Sequence, residues 1–118
     1  IPILGICLGH QLIAKAYGGQ IDMSNTESYA KVEINIVNDE NLFSGLAPKM
    51  EVWSSHKDEV KSIPDDFEIL ANSNLCDVES FKHTEKDVYG IQFQPEVHHT
   101  PKGSTIFENF YEICKKKV

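Results

Sequence analysis

Cys7 stands in the run Gly5-Ile6-Cys7-Leu8-Gly9, with a glycine two residues to either side. An apolar stretch, Ile1 to Ile6, precedes it, and a segment with helical spacing follows. This is the pattern of a nucleophile elbow with Cys in place of Ser. A tight turn between a strand and a helix forces strain on the nucleophile's backbone, and close approach of the neighbouring chain favours glycine on both sides. The turn also sets the sulfur at a helix N-terminus. There the dipole and the unsatisfied N–H groups favour thiolate, the reactive form. The N–H groups of Leu8 and Gly9 can receive a developing oxyanion, and removing one such donor typically costs about 3 kcal/mol. The plainer alternative is a small buried hydrophobe closing a strand. The two glycines and the helix that follows weigh toward the elbow.

The elements that must position Cys7 can be read from periodicity. Ile1–Ile6 is wholly apolar, as in a parallel strand buried on both faces. Leu12, Ile13 and Ala16 give helical spacing over 10–17, and Gly18-Gly19 stops that helix. Residues 31–37 alternate, with Val32, Ile34 and Ile36 on one side, as a half-buried strand does. Residues 38–48 read as a loop with one helical turn, and 50–53 as a short strand running into Ser54–Glu59. Further strands are expected at 67–71, 77–83 and 88–93. A final helix over 104–116 carries Ile106, Phe107, Phe110 and Ile113 at helical spacing, and its lysine-rich end complements the helix dipole. Strands in the middle with helices at the ends imply an α/β class with an antiparallel portion.

Composition narrows the function. The 118 residues amount to one domain. The formal net charge is −7, from 18 acidic and 11 basic residues. Such a surplus speaks against nucleic acid or an anionic membrane as partner, and no apolar run is long enough to span a bilayer. Three widely spaced cysteines, Cys7, Cys76 and Cys114, read neither as a disulfide framework nor as a zinc site. A cytoplasmic setting and no bound metal are expected. The chain opens without Met inside an apolar run, which reads as a fragment whose N-terminal part is missing.

The longer string Gly5-Ile6-Cys7-Leu8-Gly9-His10-Gln11 resembles the nucleophile motif of class I, triad-type glutamine amidotransferases. Gly90-Ile91-Gln92-Phe93-Gln94-Pro95-Glu96-Val97 resembles their second motif. Trp53-Ser54-Ser55-His56-Lys57-Asp58-Glu59-Val60 and Val97-His98-His99-Thr100 resemble the branch of the family that serves GMP synthases. The likeness covers almost the whole chain, in order. It implies a flavodoxin-like, three-layer α/β/α fold, with residues 1–118 as the C-terminal part of a single amidotransferase domain. It implies glutamine as substrate, with Cys7 as nucleophile, Leu8 supplying an oxyanion N–H, Gln11 contacting glutamine and Glu96 orienting the catalytic base. Ser55 and Asp58 would hold the substrate's amino-acid end. His56, Lys57 and Glu59 would lie toward a synthetase, an ATP-pyrophosphatase subunit that uses the ATP and magnesium; this chain would need no cofactor. A gamma-glutamyl hydrolase or another amidotransferase is the alternative within the same fold.

One departure bears on chemistry. The family carries His between Phe and Pro in the second motif, and here Gln94 stands there. Gln neither takes a proton from a thiol nor gives one to leaving ammonia at neutral pH. Acid–base help of that kind is typically worth about 10²–10⁴-fold. Gln94 is a deliberate replacement, a sequence error or the mark of an inactive copy, and the last would leave a binding or scaffold role. The remaining histidines are weak substitutes. His98 and His99 lie beyond Pro95 and read as solvated or structural, His10 as a helix-packing residue, and His83 as a strand-end surface residue.

Overall fold

Ile3–Ile6 forms strand β1 and is followed at once by helix α1, Leu8–Ala16. Strand β2 covers Gln20–Ile36, β3 Lys49–Ser62, β4 Phe67–Asn72, β5 Ser80–His83 and β6 Val88–Ile91, and helix α2 covers Gly103–Lys115. The computed structural model describes residues 1–74, 76–95 and 102–116, and gives 22–30 and 54–59 as backbone only. The strands form one sheet in the order β1-β6-β5-β4-β2-β3. The β1–β6 pair is parallel, and every other pair is antiparallel.

Alternation along β6 sorts the two faces of the sheet. Tyr89 and Ile91 join the larger apolar cluster with Ile106 and Ile113 of α2, and the ring of Phe110 meets Tyr89 edge-on. Gly90 faces the other way, toward His10 of α1 and Phe81 of β5. A second cluster on that face packs Ala14 of α1 against Val60, Phe67, Val78 and Phe81. The helices therefore cover opposite faces, and the architecture is the three-layer α/β/α expected. On α2, Asn109 Nδ2 donates to the carbonyls of Leu42 and Ser44 at 2.9 and 3.0 Å. Those bonds pin a 3₁₀ turn at Asn41–Phe43, the one helical turn expected in 38–48. Helix α1 ends as its glycines suggest. Gly18 takes φ +93°, its N–H donates to Lys15 O, and that of Gly19 donates to Ala14 O, a Schellman cap.

Several boundaries differ from expectation. Strand β2 begins at Gln20 rather than Lys31, and β3 runs on through 54–59 to Ser62 instead of stopping at Trp53. Together they make a long ribbon, irregular between Met23 and Ser28. The far end of this ribbon is held by pairing between residues distant in sequence, such as Gln20 with Ser62, which local alternation does not report. Strand β5 starts at Ser80, three residues into the expected 77–83, and β6 ends at Ile91 rather than Phe93. Among the described residues, strand β1 is not buried on both faces: Ile3 is 48% exposed while Gly5 is buried. Among the described residues no helix is long and apolar enough to cross a membrane.

Candidate active site

The turn at Cys7 is strained in the way an elbow requires. Cys7 sits at φ 54°, ψ −102°, immediately before the first residue of α1. Positive φ is costly for a residue with a Cβ. Its backbone is held from both sides: its N–H donates to Ile91 O at 2.8 Å, extending the β1–β6 ladder, and its carbonyl receives the N–H of Gln11 at 3.2 Å, opening the helix. Its side chain makes no capping bond and is partly exposed. The sulfur thus stands beside a helix N-terminus, where the first-turn N–H groups of Leu8 and Gly9 have no partner within the helix. The strand-turn-helix junction expected of the elbow is in place at Cys7.

The two flanking glycines do different work. A Cβ at Gly5 would lie 2.6 Å from Ile13 Cδ1 and 2.7 Å from Gly9 C and O, so the turn closes only over a bare Cα. A Cβ at Gly9 would meet nothing within 4 Å. Packing therefore demands glycine at Gly5 alone, which corrects the symmetric expectation. His10 behaves as a packing residue. It is fully buried, stacks on Phe81 with ring centroids 4.6 Å apart, and its Nε2 donates to Val78 O at 3.1 Å. The acceptor is a carbonyl, so Nε2 must carry the proton.

Gln11 lies one turn into α1 and is buried. Its Nε2 donates to Gln92 Oε1 at 3.2 Å, and Gln92 Nε2 points at Cys7 Sγ across 3.8 Å. Gln92 is fully buried, just past the end of β6, with its N–H donating to Glu79 O at 2.8 Å. Behind it, the buried carboxylate of Glu79 accepts from Ser73 Oγ at 2.6 Å. Sequence reasoning gives no role to Gln92 or Glu79. A signal for Gln92 exists: a polar side chain at an inward position of the apolar run 88–93.

Gln94 is partly buried, and its N–H donates to Trp53 O at 3.0 Å. The sheet curls enough to bring its far edge strand, β3, against the chain leaving β6. Trp53 and Gln94, far apart in sequence, therefore meet. Glu96, His98 and His99 lie outside the described residues, as do the side chains of Ser55, His56, Lys57, Asp58 and Glu59. His83 is not a surface residue. It is 5% exposed, its Nδ1 accepts the N–H groups of Glu85 and Lys86, and its Nε2 reaches Asp66 Oδ2 at 3.2 Å.

Comparison with known proteins bears on the family and the fold. The family model described as glutamine amidotransferase class-I matches residues 1–114. The glutamine-hydrolyzing GMP synthase subunit of Methanobrevibacter smithii is 97% identical over 117 residues, covering 99% of this chain and 62% of that protein. The like-named protein of Methanothermobacter thermautotrophicus is 61% identical, covering 98% and 62%. The chain thus spans under two thirds of the curated relatives it matches. Among solved structures, a Thermoplasma acidophilum protein described as a candidate GMP synthase subunit superposes with TM-score 0.94 at 40% identity, covering 98% of this chain and 58% of that one. A glutamine amidotransferase of Thermotoga maritima gives TM-score 0.75 at 29% identity, covering 100% and 50%.

Proposed function

The chain belongs to the class I glutamine amidotransferases, and from that premise we propose that its protein hydrolyses glutamine to feed ammonia to a GMP synthase. The observation that carries this reading is the strained Cys7 at the junction of β1 and α1. The thiolate attacks the side-chain amide carbon of glutamine, and the tetrahedral oxyanion faces the N–H of Leu8. The C–N bond breaks as the leaving nitrogen takes a proton from water, ammonia departs, and a thioester remains. Water then cleaves the thioester to glutamate and restores the thiol. Gln11 contacts the substrate amide, while Ser55 and Asp58 hold its amino-acid end.

The relatives named as glutamine-hydrolyzing subunits of GMP synthase support the existence of a partner. We assign that role to an ATP-pyrophosphatase that aminates XMP with ATP and magnesium, leaving this chain without a cofactor of its own. His56, Lys57 and Glu59 would lie toward it, and the net charge of −7 suits a basic partner face. Residues 1–118 are then the C-terminal part of one amidotransferase domain. Three cysteines outside any disulfide suit a cytoplasmic setting.

Gln94 supports a second reading, a protein that binds glutamine and the synthetase but turns over slowly. Without the imidazole, Glu96 has no base to orient. The deciding experiment measures ammonia release by the whole protein and by its Gln94→His variant, with and without synthetase and XMP. The enzyme reading expects Gln94→His to gain on the order of 10²–10⁴-fold. Two folded, partner-binding proteins that both release no ammonia would establish the scaffold reading instead.

A further inference from the structure

We propose that Gln92 is a positioning residue: one buried amide that both steadies the Cys7 sulfur as thiolate and fixes the orientation of Gln11. The inference rests on the reading of Cys7 as nucleophile and adds a residue to which neither motif resemblance nor sequence periodicity gives a role.

Three observations carry it. Gln92 is fully buried, and a buried carboxamide is retained where its hydrogen bonds are made. Its two ends are used differently: Oε1 accepts from Gln11 Nε2 at 3.2 Å, while Nε2 lies 3.8 Å from Cys7 Sγ. Its backbone is anchored independently of both, through the bond to Glu79 O. The amide orientation follows from the network. Flipping Gln92 would set its NH₂ against the NH₂ of Gln11 and lose that bond, and would offer the sulfur an oxygen that only the neutral thiol could use.

The chemistry is one-directional. An N–H aimed at sulfur stabilises the anion more than the neutral thiol, because a charged acceptor strengthens the bond. The contact is long for the thiol and has room to shorten once the sulfur is charged. At the other end, the bond from Gln11 spends one N–H on Gln92 and so decides which way the Gln11 amide faces. The nucleophile and the substrate-contacting side chain are thereby set by the same rigid group. With Gln94 in place of an imidazole, this neutral donor is a means of favouring thiolate that adds to the helix terminus without requiring a protonated base.

The test follows alkylation of each cysteine by iodoacetamide across pH, resolved by peptide mass, in the full-length protein and in Gln92→Met and Gln92→Glu. Met keeps the length and burial but has no donor. Its Cys7 labelling should be roughly three- to tenfold slower at pH 7, with the midpoint about half to one unit higher. Glu keeps an acceptor for Gln11 but sets a carboxylate against the sulfur, and should raise the midpoint further. Labelling of Cys114 should not change. Profiles for Cys7 that superimpose on the parent in the folded variants overturn the proposal. If neither variant folds, the parent protein labelled with ¹⁵N-glutamine decides. The Gln92 side-chain NH₂ resonances should move over the same pH range as Cys7 labelling, and should stay fixed in Cys7→Ala. Resonances that fail to track Cys7 overturn the idea equally. A parent Cys7 no more reactive than Cys76 or Cys114 would instead defeat the functional reading itself, so the two failures are told apart.

Discussion

Gly5 and Gly90 are register partners across the parallel β1–β6 pair, and helix α1 rests on both. A Cβ at Gly90 would lie 2.5 Å from the Phe81 ring and 2.6 Å from His10 Nδ1. The helix that follows the nucleophile is thus set on the sheet by two missing side chains, one from each motif. Gly90→Ala should lower stability by about 1–3 kcal/mol, because the stacked His10–Phe81 pair has no room to yield. It should also slow Cys7 labelling by tilting α1. Gly9→Ala is the contrast. Nothing opposes its Cβ, and Ala favours helix over Gly by roughly 1 kcal/mol. Its melting temperature should be unchanged or higher, so any loss of glutaminase activity there would report the approach of substrate. Equal destabilisation by the two variants in thermal melts would refute this division of roles.

His83 should prove structural. Its Nδ1 serves two backbone N–H groups that nothing else on the ring can serve, and its ring packs on Phe67 and Tyr17. Replacing it with Leu removes the acceptor of two N–H groups on exposed residues, which water can partly serve, and should cost about 1–3 kcal/mol in all. Asp66 is half-exposed, and such pairs contribute little. Asp66→Asn should therefore change stability by less than about 1 kcal/mol. Urea melts of the two variants compare them directly, and a larger effect at Asp66 would reverse the assignment.

Tyr89 carries a pH signature. Burial, then the charges of Asp87 and Glu68, push its phenol up from 10.0 to about 12. The folded state therefore keeps a proton that the unfolded chain has lost between these values. Stability from this group is complete below pH ~10 and is lost as pH rises toward ~12. Absorbance at 295 nm should show one of the four tyrosines titrating late, with its step missing in Tyr89→Phe. The same variant should flatten the alkaline fall in stability. An unchanged titration curve would contradict the assignment.

What the sequence makes legible divides along physical lines. The elbow, the α1 stop and the strand containing Val32 and Ile34 rest on local signals: glycine spacing, apolar periods and alternation. The curl of the sheet does not. Nothing between Gln20 and Ala30 announces a strand, because that segment is held by partners far along the chain, as in Asp22 opposite Glu59. For the same reason the contact between Gln94 and Trp53 cannot be read from either motif. Gln92 is visible but uninterpretable: a polar residue among Ile91 and Phe93 gains meaning only when Cys7 and Gln11 are seen on either side of it. His83 reads as a surface residue from sequence because burial at the end of a strand depends on which helix lies over it.

The strain at Cys7 is measurable. At φ 54°, ψ −102°, any residue with a Cβ costs on the order of 1–3 kcal/mol, whereas glycine occupies such regions readily. Cys7→Ala removes the thiol but keeps the Cβ, and so keeps the strain. Cys7→Gly removes both, and repays part of the gain through the greater freedom of its unfolded chain, about 0.4–1 kcal/mol. Cys7→Gly should therefore be the more stable of the two by about 1 kcal/mol, although neither releases ammonia from glutamine. Chemical denaturation of both variants reads this difference. If Ala equals or exceeds Gly, the turn is relaxed and the elbow geometry loses its energetic meaning. If Gly wins, the chain holds a residue at this turn that its own backbone disfavours. The reason is then the position of Cys7, partly exposed at the junction of β1 and α1, where a relaxed turn would not place it.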